Sequence, residues 1–247
     1  RARGLARTPR RLGLAARGQR GERGLMTELG RILFMRHPET VGNVGHFYSG
    51  RRDVALSPEG ERQRDRAIEA LAAWAPDRIL TSPLSRCRCI AEGVAARLGI
   101  PATVDDRLVE VEFGALEGVS LVEAHERGVA FPWPLDAEGR SVPMEGGESL
   151  EDLVARAGSF VSWAKTQPGK TACVTHGGLT RAIYGAIYRE PLDAFWNHIV
   201  PNVSSQVFVS DGVRVQLQSA GLTPEELRAR AERGFVPGDS VNVTGRN

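Results

Sequence analysis

The stretch Arg31-Ile32-Leu33-Phe34-Met35-Arg36-His37-Pro38-Glu39-Thr40 decides the fold class. An apolar run of strand length stops abruptly at Arg-His. Such a run reads as a strand buried on both faces, as in parallel sheets covered by helices. In open sheets of that kind, ligands collect beyond the carboxyl ends of the strands. Arg36 and His37 fall at that end. A guanidinium offers a planar fork of donors for phosphate oxygens. A neutral imidazole nitrogen can serve as a nucleophile. The dipeptide alone would better suit a surface histidine beside an Arg that merely ends a strand; the rest of the chain reverses that.

The same device recurs downstream. Lys170-Thr171-Ala172-Cys173-Val174-Thr175-His176-Gly177-Gly178 is a second buried strand ending in histidine, followed by glycines and a helix from about Leu179 to Tyr188. Gly177 lets the backbone approach an anion, and the helix N-terminus favours negative charge. Between the two devices, Ile79-Leu80-Thr81-Ser82 reads as another short buried strand. Arg86 follows it at the start of a helix carrying Ile90, Val94 and Leu98. Ala102-Thr103-Val104 is a candidate third strand in sequence order.

The connections carry the remaining candidates. Pro38 to Asn43 reads as a loop, since Pro removes a backbone donor and Gly42 tolerates unusual dihedrals. Asn43 could donate its amide to a phosphate oxygen, and Tyr48-Ser49-Gly50-Arg51-Arg52 extends the loop with small, donor-rich residues. Ser57-Pro58 opens a helix as N-cap and first-turn proline. Leu108 to Gly118 holds Glu110, Glu112 and Glu117, any of which could be a general acid; chemistry alone does not rank them. Residues 119–147, with Phe131 and Trp133, read as irregular and as a lid or substrate-pocket insertion. Ser149 with Asp152 caps another helix. Gln206 to Leu217 is a hairpin turning at Asp211-Gly212, and Thr223-Pro224-Glu225-Glu226 is a capping box.

Bulk properties exclude several classes. The 247 residues hold 32 Lys+Arg against 30 Asp+Glu, a net charge of +2, so nucleic acid is not an expected partner. No apolar run is long enough to span a membrane. Three cysteines give neither a disulfide framework nor zinc spacing, and they suit a reducing, cytoplasmic setting. Residues 1–25 are Arg-rich with Glu22 as their only acid, and are expected to be a disordered basic tail. Met26 then marks a candidate natural start. One domain is expected over 26–236, with a loose tail over 237–247.

Taken together, the motifs resemble the histidine phosphatase superfamily in its phosphoglycerate-mutase-like branch. They are Arg36-His37-x-Glu39-Thr40 with Asn43, Ser49-Gly50, Leu56-Ser57-Pro58-Glu59-Gly60 and Thr81-Ser82-Pro83-Leu84-x-Arg86. Leu108-x-Glu110-x-x-Phe113-Gly114-x-x-Glu117-Gly118, Gly146-Gly147-Glu148-Ser149 and Thr175-His176-Gly177-Gly178 complete them. The resemblance spans about Arg31 to Phe208 and implies a single three-layer α/β/α domain with a mostly parallel central sheet. It also implies that His37 becomes phosphohistidine and that Arg36, Arg86 and His176 grip the phosphoryl oxygens with help from Asn43. Glu110 would be the proton donor and acceptor, and Ser49 and Gly50 would contact substrate. Pro38 departs from the family's usual Gly. The expected activity is metal-independent phosphomonoester hydrolysis of a small phosphorylated metabolite, with no cofactor. Phosphoglycerate mutase and a non-catalytic phosphate-binding module are the alternatives; the mutase is disfavoured because the 119–147 insertion offers only Arg127, Arg140 and His125 as cations. The sequence leaves the oligomeric state open.

Overall fold

The computed structural model describes residues 27–129, 133–143 and 145–235. The expectations for residues 1–25, 237–247 and Phe131 therefore lie outside the described residues. Strand β1 (Gly30–Arg36) leads into a short helix α1 (Val41–Val44) and a long helix α2 (Pro58–Trp74). Then come β2 (Arg78–Thr81), α3 (Ser85–Leu98), β3 (Ala102–Val104), α4 (Leu121–Glu126) and α5 (Leu150–Ala164). Strand β4 (Gly169–Thr175), helix α6 (Gly177–Tyr188) and a 3₁₀ turn over Leu192–Asn197 precede the hairpin β5 (Ser205–Ser210) and β6 (Val215–Leu222). Helix α7 (Pro224–Arg233) closes the order.

The six strands form one sheet in the order β3-β2-β4-β1-β5-β6. The first four are mutually parallel, and the β5–β6 hairpin adds to β1 through antiparallel pairing. The apolar run of β1 explains the layering. Side chains alternate across a strand, so Ile32 and Phe34 face a core shared with Phe160 of α5 and Leu179 and Ile183 of α6. Leu33 and Met35 face the opposite core, built with Leu71 and Trp74 of α2, Ile90 of α3 and Leu227 of α7. Helices thus cover both faces of a mostly parallel sheet, the three-layer α/β/α arrangement expected.

Several local expectations need correction. The segment after His37 is not all loop. Thr40 and Asn43 cap α1 reciprocally, each side chain meeting the other's backbone N–H, so Asn here fills the place that Glu or Gln usually takes in a capping box. Helix α6 begins at Gly177, two residues early, with His176 as its N-cap. The 119–147 segment contains α4, capped by Ser120. Its Trp133 is no lid residue: it is 7% exposed, stacks on Trp196 and meets Phe113 at a tilt. Ser57, Ser149 and Thr223 cap their helices as expected. The three cysteines are unpaired.

Candidate active site

β1 and β4 are neighbours, and Arg36 is in register with Thr175. Their carboxyl ends therefore deliver His37 and His176 side by side, with ring centroids 5.2 Å apart. The backbone N–H of His37 donates to Thr175 O at 2.9 Å and ties the two strand ends together. A cavity of roughly 280 Å³ opens there. Arg36, His37, Asn43, Ser49, Arg86, Glu110 and Gly177 all line it.

His37 is 5% exposed, and its Nδ1 lies 2.7 Å from Pro38 O. A carbonyl can only accept, so Nδ1 carries the hydrogen and Nε2 keeps its lone pair. Nε2 has no partner among the described residues. Proline at position 38 removes an N–H but keeps the carbonyl that sets this tautomer. Burial holds the imidazole well below its ordinary pKa, and the positive charges of Arg86 and Arg36 push it further the same way.

The two guanidiniums are fixed by backbone carbonyls. Arg86, 2% exposed, donates to Arg52 O, Ser49 O and Gly50 O at 2.7–2.9 Å. Arg36 donates from Nη1 to Val200 O at 2.6 Å, while its Nε is buried without a partner. Burial lowers the Arg36 pKa to about 10, against the pull of Glu110, so it stays charged at neutral pH. An unpartnered buried N–H beside a cavity is a donor awaiting an acceptor.

The three carboxylates separate cleanly. Glu110 Oε1 accepts from Val111 N and Leu179 N, and Oε2 accepts from Gly178 N. The carboxylate thus sits on the positive end of α6, facing the cavity. A Cβ on Gly178 would lie 2.4 Å from Glu110 Oε1, so glycine is what admits the carboxylate. Glu112 instead pairs with Arg51 at 2.8 Å. Glu117 accepts from the backbone of Arg51, Arg52 and Phe113, bracing the loop that holds Arg86.

Two of the expected residues, His176 and Gly50, are placed off the cavity wall. His176 is fully buried and does not line the cavity; its Nε2 lies 2.7 Å from Ser82 Oγ and 3.4 Å from Cys87 Sγ. Burial, then Arg86, His37 and Arg36, hold its pKa well below the ordinary value. Gly50 is likewise absent from the wall. A Cβ there would fall 2.2 Å from Val111 O, and the Gly50 carbonyl serves Arg86. Asn43 and Ser49 do line the cavity. The Asn43 carbonyl oxygen accepts from Thr40 and from Asn202 Nδ2, which leaves its own Nδ2 without a partner among the described residues. The wall also includes Phe47, Leu121, Arg181 and Trp196, none singled out in the sequence. Arg181 follows Gly177 by one helical turn, a phase the sequence does offer. Trp196 reaches the wall from a distant 3₁₀ turn and leaves no local signal.

Among the described residues, no three or more His, Cys, Asp or Glu side chains cluster as metal ligands, and no helix is long and apolar enough to cross a membrane. An imidazole held neutral beside a cavity, with fixed guanidiniums and one carboxylate around it, is an arrangement chemically suited to binding a phosphoryl group. The chain belongs to the histidine phosphatase superfamily, branch 1, whose family model matches residues 32–223. It is 33% identical over 174 residues to glucosyl-3-phosphoglycerate phosphatase of Mycolicibacterium vanbaalenii, covering 66% of this chain and 76% of that protein. It is 28% identical over 188 residues to phosphoserine phosphatase 1 of Hydrogenobacter thermophilus, covering 72% and 85%. The solved structure of mycobacterial glucosyl-3-phosphoglycerate phosphatase with VO3 matches with a TM-score of 0.67 at 28% identity, covering 76% of this chain and 96% of that one. The chain is accordingly a phosphoric monoester hydrolase of this family.

Proposed function

We propose that the protein hydrolyses a small phosphorylated metabolite through a phosphohistidine on His37, without a metal ion. The observation that carries this is the fixed tautomer of His37, with Nε2 free beside Arg36 and Arg86. In the first step Nε2 attacks phosphorus, the N–P bond forms and the ester P–O bond breaks. Glu110 gives a proton from Oε2, the oxygen with the fewer hydrogen bonds, to the departing alkoxide. In the second step water attacks phosphorus, Glu110 takes its proton, and the N–P bond breaks to release phosphate. Arg36 and Arg86 carry the charge that develops on the transferring oxygens, the principal source of acceleration in phosphoryl transfer. His176 acts from behind, packed against His37 and held by Ser82. Unpaired, buried Cys87 and Cys173 accord with a reducing compartment.

The substrates named for relatives, glucosyl-3-phosphoglycerate and phosphoserine, favour hydrolysis over isomerisation. So does the insertion: Arg127 pairs with Glu123, Arg140 pairs with Asp136 and Glu138, and neither lines the cavity. The test is a panel of phosphomonoesters, headed by p-nitrophenyl phosphate, assayed with and without EDTA. Turnover that survives EDTA is expected. Activity that EDTA removes and a divalent ion restores would overturn the metal-free route.

A further inference from the structure

Arg181 is the cation on the cavity wall that the phosphoryl chemistry does not use. Its Nε donates to His198 O at 2.9 Å, and its guanidinium lies 5.3 Å from the Trp196 ring centroid. Trp196 is in turn stacked on Trp133 at 5.9 Å with only 12° between the rings. A backbone carbonyl at one edge and an aromatic face beneath fix the fork in place. Its two terminal nitrogens have no partner among the described residues, and the residue borders the cavity.

The position of those nitrogens relative to the phosphoryl site follows from Gly177. The point where a Cβ on Gly177 would lie is 3.2 Å from Arg181 Nη1 and 3.4 Å from Arg36 Nε. The two guanidiniums thus flank one backbone glycine and raise the local positive potential together. Burial lowers the pKa of both guanidiniums, Arg181 pushes Arg36 further the same way, and the Glu110 carboxylate opposes the lowering at each. Holding a third guanidinium half-buried beside two others is costly unless an anion completes the array. One phosphoryl group is served by Arg36 and Arg86. A separate anionic group adjacent to it would meet Arg181.

We infer that Arg181, fixed on Trp196, is a specificity residue that binds a carboxylate borne next to the phosphate ester, so that the substrate class is the phosphorylated hydroxy or amino acids. The inference rests on the phosphatase reading for which group occupies the Arg36–Arg86 end. The planar fork suits a carboxylate, which it can meet with two parallel N–H donors. Arg181 makes no covalent contribution to the reaction.

The test compares two esters that differ by one carboxylate, O-phosphoserine and O-phosphoethanolamine. Their binding is measured by calorimetry to His37→Ala protein, which cannot turn them over. With Arg181 present, phosphoserine is expected to bind about tenfold or more tighter, the effect of one charge-assisted pair. Arg181→Met in the same background should bring the two esters to within about twofold, and Arg181→Lys should retain part of the preference. Circular dichroism of each variant establishes that it is folded. Equal affinities with Arg181 present, equal weakening of both esters in Arg181→Met, or failure of both to bind would each overturn the assignment. Equal weakening is the result expected if Arg181 acted only through Glu110 or the His198 loop. A failed phosphatase reading looks different: wild-type protein would leave p-nitrophenyl phosphate intact while the binding preference persisted.

Discussion

Two forces act on His37 in the same direction. Burial and the paired guanidiniums both disfavour the imidazolium, while the Pro38 carbonyl decides which nitrogen keeps the lone pair. His37→Ala should therefore abolish turnover and, with it, any acid-labile, base-stable phosphoenzyme trapped from labelled substrate. Persistence of that species would assign the nucleophile elsewhere. The depressed pKa also sets a pH expectation: protonation of His37 should not limit kcat/KM until well below pH 6.5, so an acidic limb centred at 6.5 would contradict it. For Glu110→Gln, the loss should depend on the leaving group. An alkyl phosphate needs a proton as it departs and should slow by the ~10²–10⁴-fold typical of general acid catalysis. The burst of nitrophenolate should fall less. If Glu112→Gln gave that dependence instead, its ion pair with Arg51 would have hidden the true acid. At this scale the residues that the fold gathers were legible in the sequence, because Arg36 closes β1, His37 and His176 directly follow β1 and β4, and Arg86 lies five residues past the end of β2, in the first turn of α3. Glu110 was separable from Glu112 and Glu117 only through the resemblance; in the structure their hydrogen bonds distinguish them.

Helix α6 joins the two ends of the site. Its first amides hold Glu110, its N-cap is His176, and its second turn carries Arg181. Gly178 is the hinge of that arrangement, since any side chain there strikes the carboxylate. Gly178→Ala should reproduce the Glu110→Gln pattern, lowering alkyl ester turnover by about tenfold or more with the protein still folded. Uniform loss on aryl and alkyl esters alike would mean that the glycine serves the helix rather than the acid. The elements that sequence patterns missed have a common physical cause. Helix α1 is hidden because Pro38 and Gly42 punctuate like a loop, while the reciprocal Thr40–Asn43 cap uses Asn at a position where Glu or Gln is the usual signal. Gly50 looks like a substrate contact but is small because Val111 O and Glu117 press on it. Trp196 and Trp133 meet only through tertiary packing, which no period in the chain encodes.

On the scale of the whole molecule, the site sits where the two cores meet at the carboxyl end of the central strands, so its histidines are titratable groups inside the sheet's most buried region. Both His37 and His176 have pKa values depressed well below 6.5 in the folded protein. The unfolded chain, with ordinary histidines near 6.5, binds protons that the native state refuses as pH falls below that value. The stability they contribute is thus complete above about pH 6.5 and is lost progressively beneath it, at up to about 1.4 kcal/mol per pH unit per histidine while only the unfolded chain is protonated. Carboxylates such as Asp105, whose pKa the Arg107 hydrogen bonds lower against the effect of burial, add a loss of the same sign, but only as pH falls through their own lower range. The interval from pH 6.5 to 5 therefore isolates the histidines. Urea unfolding at pH 7.5, 6.5, 5.75 and 5 should give a nearly flat midpoint at the top of that series and a steady fall below it. His37→Ala should remove about half of the slope between 6.5 and 5, because one of the two refused protons is gone. A wild-type midpoint that does not move over that interval would mean that the folded protein accepts the protons, and that His37 and His176 are not held neutral by the sheet and its guanidiniums.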